Sequence, residues 1–356
     1  MESLKSNSGL KDRQNIINLV LGLILLAIVA TLLYLKNENR DFEKYNWSAI
    51  IYTSGLYDGT TKKAATSEKS DTTENNIELL KFHFYNTEEV SSSLLWDKNF
   101  YGDILNSKAQ NQINSDAIFG LYPNHANISY FSYNDNAFYQ LDQTLDYAKI
   151  KKIARKYRYN RESEISFFVD ILSHNKVILF LGVNGDEDNG IELIDTLTST
   201  KIKENWAILK QNAPSRKNIR NLESLQELVL SKKYWGVHLE LPKDADLESI
   251  SMTGFDNSEI KDIVSSDLVM PFKSRKLPKS ILITWISNDK TYSLNYEIDG
   301  QSLLDAFKTL SLNTNEANIN LSIIIPNNNK PASLFLKQAG NNIQIKTTNE
   351  AIPEKK

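Results

Sequence analysis

The chain has 356 residues, 41 basic and 44 acidic side chains for a formal net charge of −3, and no cysteine. That balance leaves no basic footprint for a phosphate backbone, so nucleic acid is not an expected partner. The missing thiols exclude disulfides, Cys-ligated zinc, a thiol nucleophile and lipid attachment through an N-terminal Cys.

From the N-terminus, Lys5, Lys11 and Arg13 precede an uncharged run, IINLVLGLILLAIVATLLYL, from Ile16 to Leu35. As a helix it spans about 30 Å, the thickness of a hydrocarbon core. A cleaved signal peptide is the rival, but its apolar region is usually shorter and ends in a small-residue site, whereas Ala27 to Ala30 lies inside this run. The reading is an uncleaved signal anchor over 16–36 behind a cytoplasmic tail, 1–15. Lys36, Arg40 and Lys44 balance the flanking charge, and a long following domain can translocate regardless of it. The expected location is therefore the inner membrane, single-pass, with the body in the periplasm.

Beyond the anchor an aromatic strand, YNWSAIIY around Trp47, opens the body, and the polar stretch Ser54 to Asn76 reads as a loop insertion. Glu88 to Asn106 concentrates Leu94, Leu95, Trp96, Phe100 and Tyr101, either as a helix packed on its own domain or as an interface anchor. Leu95, Trp96, Phe100 and Tyr101 are the candidate partner-binding residues, because aromatic clusters anchor interfaces. Then comes YPNHANISYFSYND, from Tyr122, which LPKSILITWISNDK echoes from Leu277.

The echo is ordered. Pro123, Ile128, Tyr130 and Ser132 match Pro278, Ile283, Trp285 and Ser287, and Trp47 matches Trp235. A helix follows each phrase, LDYAKIKKIARKY with Ile150 and Ile153 inward, and GQSLLDAFKTL with Leu303, Leu304 and Phe307 inward behind Asp299 as N-cap. EISFFVDILSHNK then matches NINLSIIIPNNNK, pairing Ile165 with Ile319. An ordered series at a nearly constant offset predicts a duplicated unit. Strands joined by short turns, with about one helix per unit, predict an α+β fold of two tandem, mostly antiparallel, sandwich-like β domains. Their expected bounds are 45–198 and 233–348. A connection over 199–232 holds an amphipathic helix within Asn218 to Tyr234, and 349–356 reads as a disordered tail.

Chemistry is thin along this framework. Asn184, Asp186 and Asp188 alternate as calcium-binding oxygens can, but the matching turn AGNN lacks carboxylates, so a solvated hairpin is the plainer reading. The four histidines show no ligand spacing, and hydrolase and phosphate-loop motifs are absent. No catalytic residue, metal or cofactor is expected, and the chain reads as a non-enzyme. Ser132 and Ser287 read as turn-bonding residues, and Tyr130 and Trp285 as packing.

LPKSILITWISNDKTY, the downstream NLSIIIPNNNK and the closing GNNIQI resemble the bacterial envelope proteins grouped as the domain of unknown function 2931. Trp235, Pro242, Pro278, Trp285 and Ser287 stand at that family's positions. Trp47, Pro123 and Ser132 do so more loosely in the first half, where Tyr130 replaces the Trp. Members are usually single-domain lipoproteins, so a doubled chain without Cys departs from the pattern, and the helix would anchor it instead. The resemblance implies a periplasmic protein-binding module, for instance an immunity protein against a type VI secretion effector such as a lipase. The alternative is an accessory component of an envelope or secretion assembly.

Overall fold

The computed structural model describes residues 6–38, 44–53, 76–101, 112–157, 164–183, 191–260, 268–311, 318–326, 331–349 and 354–355. Residues 54–75 of the expected loop insertion lie outside these, as do Asn184, Asp186 and Asp188.

Helix α1, Ser6–Glu38, contains the apolar run. The body begins with β1 (Tyr45–Tyr52), β2 (Ile77–Asn86), β3 (Glu89–Asp97), the short α2 (Lys98–Tyr101), β4 (Gln112–Asn114) and β5 (Ile118–Gly120). It continues through β6 (His125–Ser132), β7 (Ala137–Thr144), α3 (Tyr147–Tyr157), β8 (Ile165–Ile171), β9 (Lys176–Val183), β10 (Glu192–Thr198) and β11 (Thr200–Ile202). Sheet A runs β10-β9-β8-β1 with β4 and β5 on the far side of β1, and sheet B runs β11-β7-β6-β2-β3. Residues from both sheets, among them Trp47, Phe167, Phe82, Ile128 and Tyr130, form one buried cluster between them. The pattern is that of facing sheets with alternate side chains inward.

The C-terminal half repeats this order. After two 3-10 turns, Trp206–Lys210 and Pro214–Arg216, come α4 (Leu222–Leu230), β12 (Lys232–Glu240), β13 (Ala245–Gly254) and β14 (Val269–Lys276). There follow β15 (Pro278–Ser287), β16 (Lys290–Glu297), α5 (Gly300–Ser311), β17 (Ile319–Ile324), β18 (Ser333–Gln338), β19 (Asn341–Gln344) and β20 (Glu354–Lys355). Sheet C runs β14-β12-β17-β18-β19 and sheet D β13-β15-β16-β20.

Registers match between the halves. Trp47 sits opposite Ile165 in a parallel pair, as Trp235 sits opposite Ile319. Ile128 stands between Phe82 and Leu141, and Ile283 between Ile250 and Leu294. A bulge follows Leu79 where it faces Tyr130, and another follows Leu247 where it faces Trp285. Bulges bend and twist a strand and release one residue from the ladder, so sharing one fixes the same curvature in sheets B and D.

Local chemistry explains the shared elements. Asp146 accepts a hydrogen bond from Lys149 N–H at 2.9 Å and Asp299 one from Ser302 N–H at 2.8 Å, capping α3 and α5 alike. Asn221 caps α4 through Ser224 N–H, and the helix stops at Leu230, so Lys232–Tyr234, expected within the amphipathic helix, belong to β12. The hairpins differ: β6 and β7 are joined by Tyr133 to Asn136, β15 and β16 by Asn288 and Asp289 alone. Both residues of the shorter loop have positive φ, 51° and 59°, as a two-residue hairpin turn requires.

The sheets are mostly antiparallel, as expected; sheets A and C each contain one parallel pair, because the chain builds the opposite sheet before returning beside β1 or β12. Two expectations need correction. Glu89 to Asp97, read as part of a helix or an anchor segment, is an edge strand paired with β2. The expected disordered tail includes β20, where Ser293 faces Glu354, and Asn349, whose side chain donates to Asn295 O at 2.7 Å. Each half has its own buried cluster, and the C-terminal one extends to Leu80, Phe131, Tyr133 and Phe138 on the outer side of sheet B, beside Leu225, Val229 and Phe255.

Candidate partner-binding surface

The anchor reading rests on α1. Arg13–Leu35 is a helix of mean hydropathy 2.9 over its most apolar stretch, wholly exposed to its surroundings, and long and apolar enough to cross a membrane. None of its residues over that stretch is buried among the described residues, unlike those of a core helix.

The body offers two clusters on the outer face of sheet B. The first is a buried ionic seam. Glu78 of β2 contacts Lys98 of α2 through one carboxylate oxygen, and accepts from Arg216 Nη1 at 2.6 Å and from the Tyr133 hydroxyl through the other. Arg216 also donates to Phe255 O at 3.1 Å, tying the connection to the C-terminal half. Burial pushes the Glu78 carboxyl up, but Arg216 and Lys98 outweigh it and hold the pKa at about 2. A cavity of about 30 Å³ beside Glu78, Tyr133 and Arg216 has room for about one water molecule. The seam is therefore a fastening between halves.

The second cluster lies further along the same face. His83 stacks on Tyr85 at 4.5 Å between ring centres, and Tyr85 leans on His125 at 4.9 Å. His125 Nε2 lies 2.6 Å from Asp142 Oδ1. Burial, helped by Lys81 and His125, lowers the pKa of His83. Leu95 faces His83 across the β2–β3 pair and is 45% exposed. In the C-terminal half the register places Ser251, Thr253, Ser280 and Asn295 where the N-terminal half has His83, Tyr85, His125 and Asp142. The aromatic ladder thus belongs to one half only.

The residues singled out by sequence are dispersed. Leu95 lies on this patch, but Trp96 points to the other face and packs against the sandwich core. Phe100 and Tyr101 belong to α2, and their side chains lie outside the described residues. Trp47, Ile128, Tyr130, Trp235, Ile283 and Trp285 are buried framework, with Pro123 and Pro278 also buried. Ser132 donates to Asp135 at 2.8 Å, and the Asn288 amide donates to the Ser287 hydroxyl at 3.4 Å, so both serines bond within their turns. Asp135 also accepts from His174 N–H at 2.8 Å, joining sheet B's hairpin to the β8–β9 turn. Sequence reasoning gave no role to Tyr85 or Asp142 and read His83 and His125 as histidines without ligand spacing; the period-two spacing of His83 and Tyr85 on one face, unmatched in the other half, is the signal that marks the patch.

No protein-family model, no curated protein and no solved structure matches this chain.

Proposed function

We propose that this chain is a single-pass, membrane-anchored protein-binding module, built from a duplicated β-sandwich, whose body stands on the periplasmic side. In the most concrete version it is an immunity protein that neutralises a periplasm-directed effector by stoichiometric binding. The observation that carries the binding role is the patch of Leu95, His83, Tyr85, His125 and Asp142. An exposed leucine and a ladder of stacked rings on a rigid sheet suit a protein interface, and the framework does not need them, since the other half builds the same sheet without them. The α1 helix and the resemblance to envelope proteins support the location.

Two experiments test the reading. Because the chain has no cysteine, a Leu95→Cys variant carries one thiol; a membrane-impermeant maleimide should label it in cells whose outer membrane alone is permeabilised, and labelling only after full lysis would place the body inside. A photo-crosslinking residue at position 95 should then join the full chain to a periplasmic toxin encoded beside its gene when both are expressed; the unaltered chain should protect cells from that toxin, and the His125→Glu variant should not. Crosslinking to lipid alone would remove the protein-binding role.

A further inference from the structure

The chain enters the N-terminal sandwich from α1 through Tyr45, and the elements gathered at that end differ from their counterparts in the other half. Helix α3 is tied there at both of its ends. Leu145 N–H, just before the helix, bonds Asn124 O at 2.8 Å, and Tyr122, two residues away, stacks on Tyr45 at 4.8 Å between ring centres. At the far end of the helix Lys156 pairs with Glu192 at 2.6 Å, and the ladder leads from Glu192 through Leu181 and Phe167 to Ala49, near the start of β1. Strand β5 reaches the same end of the sandwich, where Phe119 faces Asn46.

Two features of this end are exposed. Ile150, Ile153 and Ala154 bury one side of α3, which leaves Ala148, Lys149, Lys152, Arg155 and Lys156 exposed on the other. Lys149 bonds Ile194 O and Lys156 is paired with Glu192, whereas Lys152 and Arg155 make no ion pair among the described residues. Phe119, beside the start of β1, is 68% exposed. The duplicated framework needs neither feature. In α5 the only charged side chains, Asp305 and Lys308, pair with Arg220 and Glu227 of the body. Ser274 stands opposite Tyr234 where Phe119 stands opposite Asn46. Unpaired cations and an exposed ring thus mark the end of the body that the anchor approaches, in the anchored half alone.

We propose that this end of the body docks on anionic lipid headgroups, with Lys152 and Arg155 against their phosphates and the Phe119 ring in the interfacial layer. An anionic leaflet attracts basic side chains held near it, and the attraction fades within a Debye length. An exposed Phe gains by burying its ring at the boundary between headgroups and acyl chains. Helix α3 packs on β9 and β10 to one side of β1, and β5 pairs with β1 on the other, so the two contacts flank the point where the chain arrives from α1. Contacts on both sides fix one orientation of the sandwich against the bilayer, which a flexible connection alone does not. The inference rests on α1 spanning a bilayer and adds an orienting contact to that anchor.

The test reconstitutes the full chain into vesicles of phosphatidylcholine with or without phosphatidylglycerol, both carrying a nitroxide quencher at the headgroup. Because the chain has no cysteine, Ala148→Cys places a single dye on the exposed side of α3. Quenching should be strong with phosphatidylglycerol, weak without it, and relieved by high salt. The double variant Lys152→Gln, Arg155→Gln should lower the docked-to-free ratio about twentyfold, roughly fivefold per cation, and Phe119→Ser should lower it in the same direction. Quenching that is equal in the two lipids, or that ignores the double variant, overturns the proposal. Flotation of the chain with both kinds of vesicle in that event would show that the docking fails while the anchor stands; a chain that floats with neither removes the anchor and the docking together.

Discussion

The outer faces of sheets B and D are built on the same register and have opposite surroundings. Sheet B carries Glu78, Leu80, Phe131, Tyr133 and Phe138 under the connection and α4. At the corresponding positions sheet D has Asp246, Glu248, Ile286, Asn288 and Thr291, of which the first four are exposed. One scaffold thus holds a buried face and a solvated one, and the difference lies in a few outward residues. An antiparallel sheet can leave one face wet, so the second half needs no further cap to be stable.

The sharpest way to break this contrast is to remove the seam's carboxylate. Glu78→Ala leaves Arg216 and Lys98 buried around a lost counter-charge and should cost about 3–5 kcal/mol, whereas Asp246→Ala at the solvated equivalent should stay within about 0.5 kcal/mol. Denaturant unfolding of the two variants measures both. Next in size, Phe131→Ala empties a fully buried site and should cost about 3–5 kcal/mol. Its counterpart Ile286→Ala, 40% exposed, should cost clearly less in the same assay.

Acid should act on the seam in a defined direction. The folded pKa of Glu78, about 2, lies below its ordinary value of 4.5, so its contribution is complete above that value and is lost as pH falls toward 2. Glu78→Gln should flatten the melting-temperature profile over that window. The smallest expected effects come from the two helix caps. Asp146→Ala and Asp299→Ala should each cost about 1 kcal/mol, and near-equal losses would show that the halves use the cap alike.

What could be read in the sequence was local or periodic. The strands around Trp47 and Trp235, the helices behind Asp146 and Asp299, and the Pro-to-Ser phrases all follow from side-chain spacing within a dozen residues, and their offset exposes the second unit. Other features depend on distant partners. Trp47 meets Ile165 only after the opposite sheet is built, and Glu78 finds Arg216 across 138 residues. Strand β3 was obscured differently: Ser92, Leu94 and Trp96 alternate as an inward face should, but the hydrophobic run Leu94-Leu95-Trp96 beside α2 mimics a helix stripe. The partner patch was legible only at Leu95, because ring stacking between β2 and β6 joins residues that no sequence window contains.

The short tether between anchor and body has a spatial consequence. Helix α1 ends at Glu38 and β1 starts at Tyr45, and covalent geometry allows at most about 3.6 Å per residue. With α1 in a bilayer, the seven steps between them let the sandwich rise no more than about 25 Å from the helix end. A body carried by α1 in a bilayer would therefore stay beside the lipid headgroups rather than stand clear of them.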